Sequence, residues 1–341
     1  IYEGSIQFLE NRRRSKRKQS DILYNEELRA FPMTIDEAFR DEAKSSLFNL
    51  EKLNDQIAHN NNVEIENTLV RGNFMWKDGV KDTEVIWVPS HKGRFLLSWI
   101  PEKQLQNRWV LKNNIFGGRS KHPLNEDLGC LGADSYDINA VVDSKIINTE
   151  NGSEYDLGSK GAIVGFTKFT MKNIPSNFPF LLYNARPETA EIFFEDCLMS
   201  CVFFGMPILI ENNKPRLLYH FLNRGYTGYS LRRFDKPTNR LSPTEKMLGG
   251  VPGTSPDVNQ MHWTQIENFI NKYVGYYEQG DDLHPIREEN EVGSCPFNAM
   301  LMDWANFNIK DRTKFDISMA SGYALMGCNR ESYKPEIEDR G

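Results

Sequence analysis

The sequence predicts an α/β fold in which a mixed sheet is flanked by helices. Three observations carry that prediction. Apolar runs of strand length recur from residue 63 onward, several bounded by Gly, Pro or Asn. Longer stretches with apolar residues at helical spacing separate and follow them, as at 188–204. Two of the apolar runs stop abruptly on an acid, at Asp134 and at Glu211. Short buried strands alternating with helices describe a sheet covered on its faces.

The elements follow in chain order. Residues 1–30 read as helical and highly charged, and Ala30-Phe31-Pro32 interrupts them because proline disfavours helix just before it. Thr34-Ile35-Asp36-Glu37 has capping-box spacing and starts a short helix, and a further helical stretch covers about 49–59. Between 63 and 100 the character changes to strand-like runs around Val85-Ile86-Trp87-Val88 and Phe95-Leu96-Leu97, separated by turn signals at Lys77-Asp78-Gly79 and His91-Lys92-Gly93. This reads as a small antiparallel β unit, followed by polar, loop-like sequence over 101–127.

From residue 128 the pattern becomes regular. Strands are expected at 128–134, 161–166 and 178–184, then a helix over 188–204, a strand at 207–210, a helix at 214–224 and a strand near 227–231. A loop rich in Gly and Pro covers 235–258, and helices at about 260–278, 297–308 and 315–327 complete the core. The chain thus divides into a helical linker segment (1–60), a small β subdomain with its connecting loop (61–127), the core (128–330) and a tail (331–341).

Composition narrows the function classes. Hydrophobic residues make up 39% of the 341-residue chain, enough to bury a core. No run approaches the roughly 18 apolar residues that a membrane span needs, so no membrane association is expected. The start at Ile1-Tyr2-Glu3-Gly4 lacks an initiator Met and a signal-peptide pattern, which reads as a fragment of a longer protein. The cysteines form no CxxC pair and sit at no zinc spacing, so they read as buried thiols in a reducing compartment. Net charge is -6, yet basic residues cluster at Arg12–Lys18 and, more diffusely, from Lys214 to Arg240. Local patches rather than net charge decide nucleic-acid binding.

Three acids stand where active-site carboxylates are useful. Asp134 and Glu211 each close an apolar strand, and strand ends at the rim of an α/β sheet are where ligands bind. Asp316 begins a helix with small neighbours, Ser318, Ala320, Ser321 and Gly322, which let it approach the sheet closely. Converging carboxylates repel unless a cation or a raised pKa relieves them. Oxygen-only ligands favour Mg²⁺ or Mn²⁺, and two such ions can activate water and stabilise the leaving oxygen of a phosphodiester. Each acid alone has a plainer reading, as a turn former, helix cap or first-turn acid.

Several segments resemble the C-terminal nuclease part of the large terminase subunit of tailed bacteriophages, an RNase H-like fold. Phe31-Pro32-Met33-Thr34-Ile35-Asp36-Glu37-Ala38-Phe39 is similar to that family's stretch between its two domains. Gly132-Ala133-Asp134-Ser135-Tyr136-Asp137, Ile208-Leu209-Ile210-Glu211-Asn212-Asn213 and Phe315-Asp316-Ile317-Ser318-Met319-Ala320 followed by Tyr323-Ala324-Leu325 resemble its three nuclease motifs. The likeness covers about 30–60 and 128–328. It implies a two-metal endonuclease using Mg²⁺ or Mn²⁺ that cuts concatemeric double-stranded viral DNA during packaging. It also implies portal protein and the small terminase subunit as partners, in the host cytoplasm at the portal vertex of the assembling capsid. The third motif departs from the family, since Ile317 and Ser318 stand where further acids often follow. Asp137 is a candidate fourth ligand. No phosphate-binding Gly-Lys-Ser/Thr loop is present, so the packaging ATPase half is not in this chain.

Lys214, Arg216, Arg186, Arg232 and Arg233 are candidate DNA contacts, with structural ion pairs as the plainer reading. Arg12–Lys18 reads as a solvated helix face before a DNA or motor contact. Gly249-Gly250-Val251-Pro252-Gly253-Thr254 reads equally as a flap over a DNA groove or a surface loop, His220 as a packing or surface histidine, and Trp76, Trp87 and Trp99 as packing residues. Two rival functions remain: another RNase H-like enzyme such as a transposase or resolvase, and a catalytically silent DNA-gripping or portal-docking module.

Overall fold

The computed structural model describes residues 4–18, 24, 27–28, 30–33, 47–113, 118–135, 160–234, 236, 238–275 and 295–333. The interdomain-like segment at 34–39 and Asp137 lie outside them. The strands are β1 (Val70–Trp76), β2 (Val85–Pro89), β3 (Phe95–Leu97), β4 (Trp109–Asn113), β5 (Arg119–Pro123), β6 (Gly129–Asp134), β7 (Gly161–Thr167), β8 (Pro179–Ala185) and β9 (Ile208–Ile210). The helices are α1 (Ser5–Arg17), α2 (Leu50–Asn62), α3 (Ala190–Phe204), α4 (Arg216–Asn223), α5 (Pro243–Leu248), α6 (Pro256–Tyr273), α7 (Asn298–Asn306) and α8 (Asp316–Cys328).

A seven-stranded sheet in the order β2-β1-β3-β8-β7-β6-β9 organises the molecule. β6, β7 and β8 run antiparallel to their neighbours, whereas β9 pairs parallel to β6. The sheet is therefore mixed, as the sequence predicts. Both faces are covered. Leu131 and Ala133 of β6, with Ile208 and Ile210 of β9, pack into a core that includes α3. Cys130, Ala162, Val164 and Leu209 face the other way, into a core shared with α6, α7 and α8. Burial on both faces explains why these strands read as continuous apolar runs rather than alternating ones. α8 is buried from Ile317 to Cys328, which explains its apolar character on every side.

Four features differ from the sequence expectation, the first being that the loop expected at 235–258 holds the short helix α5 behind a Ser242–Glu245 capping box. The β unit at 61–127 is not set apart as a subdomain: β3 pairs with β8, so β1–β3 extend the main sheet. Phe95 stands opposite Tyr183 at 4.8 Å between ring centroids, and Phe74 lies 4.7 Å from Phe95. Period-two patterning reveals a strand but not its partner. The loop expected at 101–127 contains the β4–β5 hairpin, whose polar residues hide its pairing. The strand expected near 227–231 is a 3-10 turn at Thr227–Tyr229, with only Ser230 and Arg232 bridging Ile208 and Gly250.

The tryptophans are packing residues. Trp76 donates to Glu195 at 2.5 Å, Trp87 lies against Phe74, and Trp99 lies against Phe180. Glu195 also receives His220 and Arg224 at 3.0 and 2.7 Å, which ties β1, α3 and α4 together. Part of the basic run at Arg12–Lys18 turns inward: Arg12 pairs with Glu27 and Arg17 with buried Glu51, both at 2.6 Å. The cysteines of the described residues are free and buried.

Candidate functional site

The β6–β9 pairing fixes the centre of the site. Its parallel register matches Gly132 with Leu209 and Ala133 with Ile210, so Asp134 and Glu211 come next on adjacent strands. Neighbouring strands lie roughly 4.8 Å apart, and in-register residues point the same way. Cys130 and Leu209 both face the α8 side of the sheet. Asp134, four residues beyond Cys130, and Glu211, two beyond Leu209, face that side too.

α8 brings the third acid. A Cβ at Gly132 would stand 2.2 Å from the Ala320 carbonyl oxygen and 2.3 Å from the Ala324 nitrogen, so only glycine lets helix and strand meet this closely. The small residues of α8 thus do what their spacing suggests. Asp316, in the first turn, accepts the Lys160 backbone N–H at 2.9 Å. Lys160 lies two residues before Ala162, which pairs with Asp134 across β6 and β7.

Asp134 feels the charges of the other two acids. Burial pushes Asp134 up to about 8; Lys214 opposes the shift, Asp316 and Glu211 reinforce it, and Arg312 opposes it. Lys214 reaches into the same corner, donating to the Ser135 carbonyl at 2.8 Å. Tyr323 is 1% exposed; burial raises its phenol well above the usual range, and the charges of Glu211 and Asp134 add to this. The Gly-rich segment is neither a flap nor a plain surface loop. Gly250 and Val251 are buried and bridge Arg232 and Glu211, and a Cβ at Gly253 would meet Glu211 Oε1 at 2.2 Å.

The candidate DNA contacts separate. Lys214 stands at the carboxylates. Arg216 pairs with Glu191 at 2.9 Å on the opposite side of the sheet, near α3. Arg232 is exposed and donates to the Lys246 carbonyl, whereas Arg233 is buried and pairs with Glu245 at 3.2 Å. Arg186 is partly exposed just before α3.

Sequence reasoning passed over two residues here, Asp303 and Arg312, and took Tyr323 only as part of the third motif. Asp303 of α7 accepts the Ser318 N–H and hydroxyl at 2.7 and 2.6 Å, holding the first turn of α8. Burial raises its carboxyl to about 6, the Ser318 bonds oppose this, and Asp316 adds to it. An acid between Leu301 and Trp304 in an apolar helix was the signal available for it. Arg312 had no comparable signal, because its neighbours come from distant strands.

Among the described residues, no three His, Cys, Asp or Glu side chains already stand in a geometry that would hold a metal ion. The donor chemistry nevertheless fits a hard divalent cation. Asp134, Glu211 and Asp316 offer only oxygen, on one face, beside a backbone frame fixed by sheet pairing. Also among the described residues, no helix is long and apolar enough to cross a membrane. Compared with known proteins, the chain matches no family model, no curated protein and no solved structure.

Proposed function

We propose that this chain is a metal-dependent endonuclease with an RNase H-like core. The observation that carries the reading is the pair Asp134 and Glu211, in register at the ends of adjacent parallel strands and facing the helix that supplies Asp316. The neighbouring order β8-β7-β6-β9, antiparallel except for the β6–β9 step, supports the same reading.

Asp134, Glu211 and Asp316 would hold Mg²⁺ or Mn²⁺, two ions in all, with Asp137 a further candidate. Bound there, such ions lower the pKa of water and neutralise charge on the phosphodiester. The protein's own groups do the rest. Side-chain rotation would bring the carboxylates together on the strands and helix that carry them. Asp134 must release its proton to act as a ligand, and Lys214 favours that release. Lys214 and Arg312 would meet phosphate oxygens, and a Lys or Arg at phosphate gives affinity without base preference. Hydrolysis adds the water oxygen to phosphorus, breaks one P–O bond and returns the proton to the departing alcohol oxygen.

By the resemblance of its motifs, the substrate is concatemeric double-stranded viral DNA during packaging. Portal protein and the small terminase subunit are the partners, and the host cytoplasm at the portal vertex is the place. The test is incubation of the chain with supercoiled plasmid and Mn²⁺, beside Asp134→Ala. Cutting by the parent and a loss of at least about 100-fold in the variant is expected, the scale of a lost catalytic group. Undiminished cutting by Asp134→Ala sinks the assignment. No cutting by either points to a silent DNA-gripping or portal-docking module, and cutting confined to specific ends points to a transposase-like enzyme.

A further inference from the structure

Tyr323 buries a hydroxyl with nothing to bond on the helix that begins with Asp316. Its side chain is 1% exposed and its Oη has no hydrogen-bond partner. A buried donor left unmade is unfavourable, so its retention asks for a use. Tyr183 and Tyr229 have similarly unbonded hydroxyls, but Tyr323 stands on the helix that carries Asp316.

Position on α8 directs it. Asp316, Ala320 and Tyr323 follow i, i+4, i+7 spacing and share one stripe of the helix. The middle member touches Gly132, two residues before Asp134. Long helical side chains lean toward the helix N-terminus, which here is the Asp316 end. The ring is flanked by His262, with centroids 5.0 Å apart, and His262 is itself fixed to the Met319 carbonyl at 2.9 Å. The acids whose charges reach the phenol are Glu211 and then Asp134. Glu211 already uses one oxygen, Oε1, to accept from Asn213 at 2.8 Å.

We infer that Tyr323 is a positioning residue whose hydroxyl donates to the Glu211 carboxylate when that group turns inward to hold a divalent cation. The inference rests on the metal-site reading of these carboxylates. Ligating carboxylates are held by outer hydrogen bonds, and loss of such a bond typically lowers metal affinity about 10–100-fold. Because the bond is absent without metal, Tyr323→Phe removes nothing that holds the metal-free fold.

The experiment uses the full chain and Mn²⁺ as the probe. Calorimetric titration gives affinity, and thermal unfolding in EDTA gives metal-free stability, for the parent, Tyr323→Phe and Tyr229→Phe. Expected is a Tyr323→Phe protein that melts at or above the parent in EDTA, yet binds Mn²⁺ at least about 10-fold more weakly. Tyr229→Phe is expected to bind like the parent. Equal Mn²⁺ affinity of Tyr323→Phe and a binding-competent parent overturns the inference and leaves the metal-site reading standing. A Tyr323→Phe protein melting more than about 5 °C below the parent in EDTA also overturns it, since the hydroxyl would then be bonded without metal. A parent that binds no Mn²⁺ overturns both.

Discussion

Asp134 shows at the residue scale how a candidate metal-ligand position opposes stability. It ends a strand buried on both faces, and burial holds its carboxyl near pKa 8, far above the unfolded value. Between the unfolded value of about 4 and 8, the unfolded chain gives up this proton and the folded chain keeps it. Stability is therefore lost as pH rises through that window and stays lost above it; below pH 4 both states are protonated and the effect vanishes. Asp134→Asn keeps the shape without the charge. It should melt roughly 5 °C higher than the parent at pH 8 in EDTA and about equally at pH 4, as scanning calorimetry would read. Parallel melting curves at both pH values would show that the carboxyl is not held protonated. The acid itself was legible from its place after an apolar run. Its protonation was not, because that depends on Lys214, Asp316 and Glu211 arriving from other elements.

The β6–α8 contact is the joint on which the site depends at the scale of elements. Gly132 lets the backbone of α8 lie against β6, and Asp303 fixes the first turn of that helix through Ser318. An added methyl at Gly132 would press on helix backbone, which cannot swing aside as a side chain can. Gly132→Ala should cost about 1–3 kcal/mol in denaturant unfolding. It should also lower plasmid cutting more than that destabilisation explains at a temperature where the protein stays folded, because Asp316 and Tyr323 would move with the helix. A variant of parental stability would show that strand and helix do not meet as described. Both elements could be read from sequence, and the small residues of α8 announced a close approach. Which strand it approached could not be read, since small residues specify distance and not partner.

β1–β3 belong to the same sheet as the candidate site at the scale of the whole molecule, which makes the N-terminal third structural. A chain begun at residue 118 would expose the edge of β8 and strip Phe74, Phe95 and Leu97 from the core around Tyr183 and Phe203. Such an unpaired apolar edge invites aggregation. The truncated chain should be insoluble or melt far below the parent. A soluble, cooperatively melting product would show that β1–β3 are separable from the rest of the sheet after all. The sequence by itself determined the order of the main strands and helices, the acid ends of β6 and β9 and the buried free cysteines, because each leaves a local mark in spacing or residue type. Only the tertiary structure decided that β3 pairs with β8, that the Gly-rich segment lies on Glu211, that Arg233 turns to Glu245, and that the Tyr323 hydroxyl is buried without a partner. These are contacts between distant residues, set by register and by how closely two backbones can pack, and no local pattern encodes either.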